Sequence, residues 1–588
     1  MSPSTGQSQQ AEFDVIVVGS GAGGMLAACR AADQGLSVVV LEKSGQYGGT
    51  SAVSGGGIWI PLNDHIAPAG GQDSYDAALA YLIACTGSDG DPARLRAYLE
   101  HAPRMLRYLE DRVGVRYCTM PRYADYFPKL PGAMPGYRAL DPLPFDGARL
   151  GDEFARLRAP SPATLVAGRL SITSGEAHTL LSKANGWMGL ALRQFVRYWL
   201  DLGWRRKTRR DRRLTLGNAL TGGLRRAMMD RAIPLWLDTP LEGLLIKNGA
   251  AAGVRATRDR QPIQIRARYG VILAAGGFER NQEMRDQYLP KPTEAAWSAT
   301  PPNNTGDAIR AGQAAGAGVA LMSHVWGAPT VRVRGEEKQR PLFVERAMPG
   351  CLVVSGQGKR FVNETAPYSE FVAAMYRDHA QTGCSVPAWM IFDATFRRKY
   401  PCGPILPGSV MPDRRIPPGL SDILLRADSV DALAALAGID RAGLADSVAR
   451  MNRYAATGVD EEFGKGDNVF DTYYADPQVG PNPCLAPVVN APFYAVRIDA
   501  GDIGTKGGLV TDASARVLLE DSSPIPGLFA IGNTSASVMG ASYPGAGATI
   551  GPAMTFGLVA ADALARMSRT ADGRSAHAPA QEFAQETL

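Results

Sequence analysis

Apolar residues near the start of the chain form a strand–helix–strand pattern. The runs 13–19 (FDVIVVG) and 36–41 (LSVVVL) are β-branched and almost continuously apolar, which is typical of parallel strands buried on both faces. Between them, the Ala-rich stretch 25–34 is predicted to be a helix. Two later runs, 271–278 (VILAAGGF) and 527–533 (GLFAIGN), are predicted as strands that end in glycine-containing turns. The pattern indicates an α/β fold.

A glycine-rich turn, GSGAGG, follows the first predicted strand. In a dinucleotide-binding unit, Gly19 makes the tight turn, Gly21 lets backbone amides approach a pyrophosphate, and Gly24 allows the helix to pack closely on the strand. Glu42 lies 18 residues beyond Gly24, at the end of the second strand, where it would accept ribose hydroxyls. An acid there, rather than Arg, favours a ribose without a 2′-phosphate. Strand, helix, strand and acid together predict a dinucleotide site.

The composition narrows the classes of function. Of 588 residues, 45% are hydrophobic and 20% are charged, which excludes a collagen-like, wholly disordered or multi-span membrane chain. Seven Cys are scattered without a CxxC pair, and six His show no metal-ligand spacing, so we expect neither a disulfide framework nor a metal site. The net charge of +5 is too small over this length to indicate nucleic-acid binding.

One stretch combines aromatic and basic residues. Plotted as a helix, 187–204 (WMGLALRQFVRYWLDLGW) places most apolar side chains on one arc and the charged side chains on the other, and seven of the nine residues in 205–213 are basic. The run is too short and too charged to span a bilayer. We therefore expect 187–213 to contact a membrane surface, with its rings in the interface and its cations on anionic lipid. The alternative is an ordinary packed helix with a solvated basic loop.

Two C-terminal segments carry a resemblance to a known family. Residues 500–508 (AGDIGTKGG) and 538–557 (VMGASYPGAGATIGPAMTFG) together resemble the FAD-dependent 3-ketosteroid dehydrogenases, specifically the Δ1-dehydrogenases. The glycine-rich stretch after Glu42 is similar to the segment along FAD in their parent group, the fumarate reductase and succinate dehydrogenase flavoprotein superfamily. The resemblance covers most of the chain apart from one insertion. It implies a Rossmann-like FAD-binding domain assembled from discontinuous segments, an α+β catalytic domain, and a helical basic insertion.

The resemblance also sets domain boundaries. The FAD-binding domain is expected to comprise 11–154, 214–326 and 486–570, the catalytic domain 327–485, and the membrane-contacting insertion 155–213.

The residues expected to bind FAD lie in the glycine turn, after the second strand, and at the ends of later strands: Gly19, Gly21, Ala22, Gly23, Gly24, Glu42, Lys43, Gly49, Thr50, Ser51, Gly55, Gly56, Gly276, Gly277, Gly532, Asn533, Gly547, Thr549 and Ile550. Relatives that tether FAD do so through a His near the GGT segment. Here Thr50, Ser51 and Ala52 have no His beside them, so we expect non-covalent FAD. No second GxGxxG occurs between a strand and a helix, so we expect no nicotinamide site and a separate electron acceptor such as a quinone.

The same resemblance implies the catalytic residues. Tyr543 and Gly547, in SYPGAG, match the Tyr hydroxyl and Gly amide that bind the steroid C3 carbonyl. Tyr368, in GKRFVNETAPY, corresponds to the catalytic Tyr, and Tyr126, in ADYFP, to an assisting Tyr, with Tyr123 close by as an alternative.

The chemistry of 1,2-dehydrogenation requires such a set. A proton leaves C2 toward a base while a hydride leaves C1 toward flavin N5, and two donors on the carbonyl oxygen stabilise the developing enolate. A phenolate is an adequate base if the ordinary Tyr pKa near ~10 is lowered by a hydrogen bond from another phenol or by a positive field.

Two other reactions suit the same fold. A 3-ketosteroid Δ4-(5α)-dehydrogenase performs the elimination on the other side of the carbonyl, although the Tyr-Pro-Gly-x-Gly loop favours Δ1. A fumarate reductase-like enzyme needs His and Arg to clamp two carboxylates and has an HPT motif. The corresponding stretch here is 327–330 (GAPT), with Ala328 in place of the His.

The two ends of the chain are polar. Residues 1–10 contain no Lys or Arg, so we expect a disordered tail and not a signal peptide. Residues 571–588 lack apolar periodicity and are also expected to be disordered. A cytoplasmic enzyme, bound peripherally at the inner face of the cell membrane, is the expected location.

Overall fold

The computed structural model describes residues 10–166, 168–181 and 185–571. The predictions of disorder for 1–9 and for the segment after 571 lie outside the described residues. Gln10, predicted as the end of the leader, is instead the first residue of a strand, Gln10–Val18.

The larger of the two main sheets has eight strands and confirms the predicted α/β fold. Its strand Gln10–Val18 pairs in parallel with Val38–Leu41 on one side and with Gln261–Leu273 on the other. Gln261–Leu273 pairs in parallel with Pro524–Ala530 in turn. Segments far apart in the chain therefore lie side by side in one sheet. The sheet is completed by Leu235–Trp236, Leu241–Lys247, Ala250–Arg258 and Arg516–Leu518.

The glycine turn after the first strand lies against the end of the neighbouring strand Gln261–Leu273. Gly19 has a φ of +110°, and a Cβ added there would lie 2.3 Å from the Ala274 carbonyl oxygen. A side chain at this position would collide with the end of the neighbouring strand, so the first glycine of the turn is required by both its backbone conformation and its surroundings. The helix Ala22–Asp33 then begins.

The second sheet has six strands and is entirely antiparallel. Its strands are Val325–Val331, Arg340–Pro341, Cys351–Val354, Ala388–Phe392, Leu424–Ala427 and Phe493–Thr505. The domain boundaries stay a prediction. The third FAD-binding segment is expected to begin at residue 486. However, the strand Phe493–Thr505, which follows that boundary, pairs with strands of the second sheet.

Helices cover both sheets. Those of eight residues or more are Ala22–Asp33, Tyr75–Thr86, Pro92–Tyr108, Ser174–Leu181, Trp187–Leu200, Leu216–Asp230, Asp307–Ala314, Tyr368–Thr382, Val430–Ala437, Arg441–Thr457 and Ile550–Ala571. Short paired strands are Ile58–Trp59, Tyr117–Thr119, Ala139–Pro142, Phe145–Asp146, Leu165–Val166, Leu170–Ser171, Arg213–Leu214, Val319–Ala320 and Gly508–Leu509. Among the described residues, no helix has both the length and the apolar character that crossing a bilayer requires.

A buried ionic cluster anchors the chain just before Tyr368. Arg360 donates to Glu364 (2.8 Å) and to Asp460 (2.8 Å), and the Lys465 ammonium lies 3.5 Å from Glu364. The side chains of Arg360, Glu364, Asp460 and Lys465 are buried, and only the adjoining Glu462 is partly exposed. Leaving any of these buried charges without a partner would cost stability. The cluster therefore fixes the segment that leads into the helix Tyr368–Thr382.

The insertion contains a helix, Trp187–Leu200, whose polar side packs on other segments of the insertion. The Gln194 amide donates to Glu176 (2.7 Å), and Arg197 forms two hydrogen bonds with Asp211 (3.0 and 2.8 Å). Tyr198, an aromatic residue within this helix, is buried, and its hydroxyl donates to the Arg209 carbonyl (2.7 Å). The apolar side is left open to solvent, with side chains 41 to 72% exposed: Met188, Leu192, Phe195, Val196, Trp199 and Leu200.

The basic run after this helix is only partly exposed. Arg210 donates to the Leu157 carbonyl (2.8 Å), and Arg213 pairs with Glu176 (2.8 Å). The expectation that the whole run faces lipid is therefore wrong for these two arginines, because acceptors on neighbouring segments bind them. The exposed cations around the helix are Arg193, Arg206, Lys207, Arg209 and Arg212, and Arg212 pairs with Asp146 (2.7 Å).

Candidate active site

A cavity of about 550 Å³ is bordered by residues from both sheets. Each predicted FAD-binding residue lines it except Gly277, whose carbonyl accepts a hydrogen bond from the Gly306 amide (3.0 Å). Tyr126, Tyr368 and Tyr543 line the same cavity. The structure therefore brings the predicted cofactor residues and the predicted catalytic residues to one place.

The acid at the end of the second strand is firmly held. One carboxylate oxygen of Glu42 accepts hydrogen bonds from the Ser20 hydroxyl (2.6 Å) and the Ser20 amide (3.2 Å), and the other accepts from the Ser44 amide (2.9 Å). Lys43 is engaged elsewhere, because its ammonium pairs with Asp307 (2.6 Å). Glu42 thus lies at the cavity wall in a fixed orientation, as a ribose-binding acid requires.

The N-terminal turn of the first helix faces the cavity. Its N-cap is Gly21, which has no side chain to accept hydrogen bonds from the first turn, and Gly21, Ala22, Gly23 and Gly24 all line the cavity. The Ser51 hydroxyl accepts the Ala22 amide (3.1 Å). Amides at a helix N-terminus, with the partial positive charge of the helix dipole, suit a pyrophosphate. The residues present therefore fit the phosphate end of FAD.

The three predicted tyrosines meet at another part of the wall. The Tyr126 hydroxyl donates to the Tyr368 hydroxyl at 3.3 Å. The ring centroids are 5.8 Å apart for Tyr126 and Tyr368, 5.2 Å for Tyr126 and Tyr543, and 5.4 Å for Tyr368 and Tyr543. Tyr123 contacts Tyr126 edge-on at 6.4 Å and packs against Tyr473 at 4.6 Å. Of the two candidates for the assisting residue, Tyr126 is therefore the one bonded to Tyr368.

Backbone contacts hold the loop that carries Tyr543. The Pro544 carbonyl accepts hydrogen bonds from the Tyr126 amide (2.9 Å) and the Tyr81 hydroxyl (2.6 Å). Gly547 has a φ of +97°, and a Cβ there would lie 2.4 Å from the Ile58 Cα. Only glycine suits this position, so the Gly547 amide is held in an orientation that other residues would not adopt.

Burial dominates the ionisation of the three phenols. It raises the pKa of Tyr126 and Tyr368 well above the ordinary value, and it raises the pKa of Tyr543 as well. Burial therefore outweighs the hydrogen bond from Tyr126 that we expected to lower the pKa of Tyr368. Two features still favour the phenolate of Tyr368. The Tyr126 hydroxyl donates a hydrogen bond to the Tyr368 oxygen, and Tyr368 is the first residue of a helix, whose N-terminal end is partially positive.

Several aromatic residues of the site were not predicted. The ring centroids are 4.7 Å apart for Phe343 and Tyr368, 5.0 Å apart for Phe470 and Tyr126, and 4.8 Å apart for Trp326 and Tyr543. Trp326 also donates through Nε1 to Asn533 (3.1 Å), a predicted cofactor residue. These residues belong to no recognisable motif, so no signal in the sequence distinguished them from ordinary packing residues.

Among the residues that the structure describes, potential metal ligands do not cluster at the cavity. Within 10–166, 168–181 and 185–571, no group of three or more His, Cys, Asp or Glu side chains is arranged to hold a metal ion. None of the five His in those ranges lines the cavity.

Comparisons with known proteins agree with this geometry. The model of the FAD binding domain family matches residues 14–550. The chain is 42% identical to a 3-oxosteroid 1-dehydrogenase of Comamonas testosteroni, over 93% of this chain and 95% of that protein. It is 40% identical to one of Mycobacterium tuberculosis, over 94% and 98%.

A solved structure is similar over nearly the whole chain. It is the 3-ketosteroid Δ1-dehydrogenase of Sterolibacterium denitrificans in complex with 1,4-androstadiene-3,17-dione, with 55% identity, a TM-score of 0.92, and coverage of 95% of this chain and 100% of that one. The chain therefore belongs to the FAD-binding-domain flavoproteins, in the family of the 3-oxosteroid 1-dehydrogenases, and its cofactor is FAD.

Proposed function

We propose that this enzyme catalyses the 1,2-dehydrogenation of 3-ketosteroids. The observation that carries the proposal is the meeting of Tyr126, Tyr368 and Tyr543 at one wall of the cofactor cavity, with the Tyr126 hydroxyl bonded to that of Tyr368 at 3.3 Å. The likeness to dehydrogenases of this activity, at 42 and 55% identity over nearly the whole chain, supports it. The aromatic wall formed with Phe343 and Phe470 suits a flat, apolar ring system.

The carbonyl end of the substrate is assigned to Tyr543 and Gly547. A hydroxyl and a backbone amide that both donate to the C3 oxygen stabilise the enolate that develops when the α-proton leaves. Burial raises the pKa of Tyr543, and hydrogen bonds with the Tyr368 hydroxyl, the Thr549 hydroxyl and the Gly547 amide lower it without cancelling the effect of burial. The Tyr543 phenol therefore stays protonated and able to donate to the substrate carbonyl.

Tyr368 is assigned as the base that removes the C2 proton, and Tyr126 as its assistant. The hydrogen bond donated by Tyr126 stabilises the phenolate of Tyr368, as does the N-terminal end of its helix. Since burial keeps the pKa of Tyr368 high, only a small fraction is ionised at neutral pH. We therefore expect the rate of proton removal to rise with pH.

Bound FAD supplies the acceptor for the C1 hydride. The chain's part is to hold it, through the glycine turn and helix N-terminus at the phosphates and through Glu42 at the ribose. We propose that FAD is bound non-covalently. None of the His residues in the part of the chain that the structure describes lines the cavity, and Thr50 and Ser51 occupy the segment where a tethering His would be. We propose a quinone or a similar molecule as the separate electron acceptor, since no second dinucleotide fingerprint is present in the sequence.

We also propose that the exposed face of the helix Trp187–Leu200 docks on the inner face of the cell membrane. Leu192, Phe195 and Trp199 are 64, 54 and 44% exposed and adjacent on one side of the helix. Solvent-exposed apolar side chains in such a patch indicate an interaction surface. The exposed cations Arg206 and Lys207 near it favour an anionic lipid surface over a second copy of the chain.

The proposed reaction predicts a clear substrate preference. Anaerobic mixing with a 4-ene-3-ketosteroid should bleach the flavin absorbance near ~450 nm, with loss of two hydrogens from the steroid by mass spectrometry. A 5α-saturated 3-ketosteroid should also react at C1 and C2, and succinate should not react. Bleaching only by the 5α compound, with formation of the 4-ene, would indicate a Δ4-(5α)-dehydrogenase. Bleaching by succinate would indicate a dicarboxylate enzyme.

Replacing the proposed base should slow turnover strongly without unfolding the enzyme. Tyr368→Phe removes the proton acceptor, and we expect kcat to fall by about 10² to 10⁴. Tyr376→Phe is the matched control, since Tyr376 lies on the same helix and its hydroxyl donates to the Pro292 carbonyl (3.1 Å) outside the cavity. The turnover of both variants is measured by steady-state kinetics, and their FAD content is measured to check that each is folded. Full turnover by Tyr368→Phe would refute the assignment.

The pH profile tests the assisting role separately. In the unmodified enzyme kcat/KM should rise toward alkaline pH, because the raised pKa of Tyr368 leaves most of the phenol protonated near neutrality. Tyr126→Phe removes the donor that stabilises the phenolate, so this limb should move to higher pH. An unshifted profile would show that Tyr126 has another role.

The docking face can be removed without touching the cavity. The triple variant Leu192→Gln, Phe195→Gln and Trp199→Gln should lose sedimentation with vesicles of phosphatidylcholine and phosphatidylglycerol while retaining steroid oxidation in solution. The apolar contact energy is lost, whereas the cations remain.

The control variant changes exposed apolar residues outside the insertion. Val410→Gln, Leu436→Gln and Val459→Gln replace side chains that are 65, 56 and 58% exposed, and this variant should bind vesicles normally. Equal vesicle binding by both triple variants would contradict the docking proposal. Conversion of a dimer to a monomer by the first variant alone would show that a second copy covers the face.

A further inference from the structure

Lys506 is a buried cation that the proposed reaction does not use. It lies in AGDIGTKGG, it is 2% exposed, and no carboxylate of the described residues lies within 4.0 Å of its ammonium. Burial lowers the pKa of Lys506 to about 7, and the carboxylates of Glu370 and Asp89 act weakly in the opposite direction. A buried charge without an ion-pair partner is costly, so its position requires a reason.

Two chain segments meet at this lysine. Its ammonium donates to the Ala541 carbonyl and lies 4.7 Å from the centre of the Trp326 ring. Its backbone amide donates to the His324 carbonyl (2.9 Å), and its carbonyl accepts the Ser537 amide (3.0 Å). Lys506 thus ties the segment before the carbonyl-binding loop to the strand that carries Trp326.

Trp326 connects this junction to the site. Its ring is 2% exposed and packs edge-on against Tyr543, with centroids 4.8 Å apart. Its Nε1 donates to Asn533 at the cavity wall (3.1 Å). A single side chain therefore separates the Lys506 ammonium from the Tyr543 phenol. The contact of a cation with an indole face is directional and is strengthened by exclusion of water.

We propose that Lys506 is a positioning residue for the carbonyl-binding site. Its ammonium holds Trp326 and the segment 537–541, and thereby the Tyr543 hydroxyl, where the substrate carbonyl binds. This inference rests on the proposed function, in which Tyr543 donates to the C3 oxygen. Small displacements of a positioned group strongly reduce reaction rates, so losing the ammonium should affect carbonyl recognition before it affects FAD binding or folding.

The test compares Lys506→Met, Lys506→Arg, Tyr543→Phe and the double variant Lys506→Met with Tyr543→Phe. We measure kcat for a 4-ene-3-ketosteroid and, by the perturbation of the flavin spectrum, the affinities for a 1,4-diene-3-ketosteroid and for the same steroid without the C3 oxygen. Lys506→Met should lower kcat about 10-fold to 100-fold. It should also weaken binding of the ketone more than binding of the deoxy steroid, and Lys506→Arg should recover part of both losses.

The double variant separates positioning from a general effect on the fold. If Lys506 acts through Tyr543, Lys506→Met should add little to the loss already caused by Tyr543→Phe. The control is Lys465→Met, because Lys465 is also a buried lysine whose ammonium donates to a backbone carbonyl, that of Cys351 (3.0 Å), but it belongs to the ionic cluster before Tyr368 and not to the carbonyl-binding loop. It should lower the Tm and kcat, and it should leave the preference for the ketone over the deoxy steroid unchanged.

Three results would overturn the proposal. Rate losses of Lys506→Met and Tyr543→Phe that multiply fully would show independent action. Equal weakening of both steroids would show a general packing role. Unchanged kcat and unchanged ketone preference in Lys506→Met, with Tyr543→Phe impaired, would refute the role of Lys506 alone.

Full activity of Tyr543→Phe would refute the carbonyl-binding part of the proposed function itself. If Lys506→Met does not fold, Lys506→Gln takes its place in every comparison, because Gln keeps a hydrogen-bond donor without the charge.

Discussion

Two hydrogen bonds to the Pro544 carbonyl hold the carbonyl-binding loop against the loop that carries Tyr126. The donors are the Tyr126 amide (2.9 Å) and the Tyr81 hydroxyl (2.6 Å). These bonds connect a segment near the start of the chain to one near its end. The distance between Tyr126 and Tyr543 depends on them, and the hydrogen bond from Tyr126 to Tyr368 depends on that placement in turn. The ionic cluster around Arg360 fixes the third segment, which ends at Tyr368.

Burial of the three phenols has opposite consequences for binding and for proton removal. It strengthens each hydrogen bond made to a developing enolate, because little water competes in the cavity. It also raises the pKa of Tyr368, so the base is protonated most of the time. The donated hydrogen bond and the helix N-terminus offset part of this penalty. The site combines strong stabilisation of the enolate with a base whose ionised fraction is small.

Local patterns in the sequence predicted the parts of the structure that local geometry determines. Gly19 and Glu42 were identifiable because a tight turn and a strand end impose residue types at fixed spacing. Trp326 and Phe343 were not, because their roles arise from contacts between distant segments. The helix Trp187–Leu200 is predicted as amphipathic, and its polar side binds Glu176 and Asp211 of the same insertion through Gln194 and Arg197. Helical periodicity gives the two faces and does not show which one the protein covers.

The central claim is that the substrate carbonyl lies between the Tyr543 hydroxyl and the Gly547 amide, with C2 toward Tyr368. The most direct measurement is an experimental structure of the FAD enzyme with a bound 1,4-diene-3-ketosteroid. The account predicts the C3 oxygen about 2.7 to 3.1 Å from both donors, with C2 as the ring carbon nearest the Tyr368 hydroxyl. A steroid bound in the reverse direction, with C17 at Tyr543 and the C3 oxygen bonded to neither donor, would contradict it.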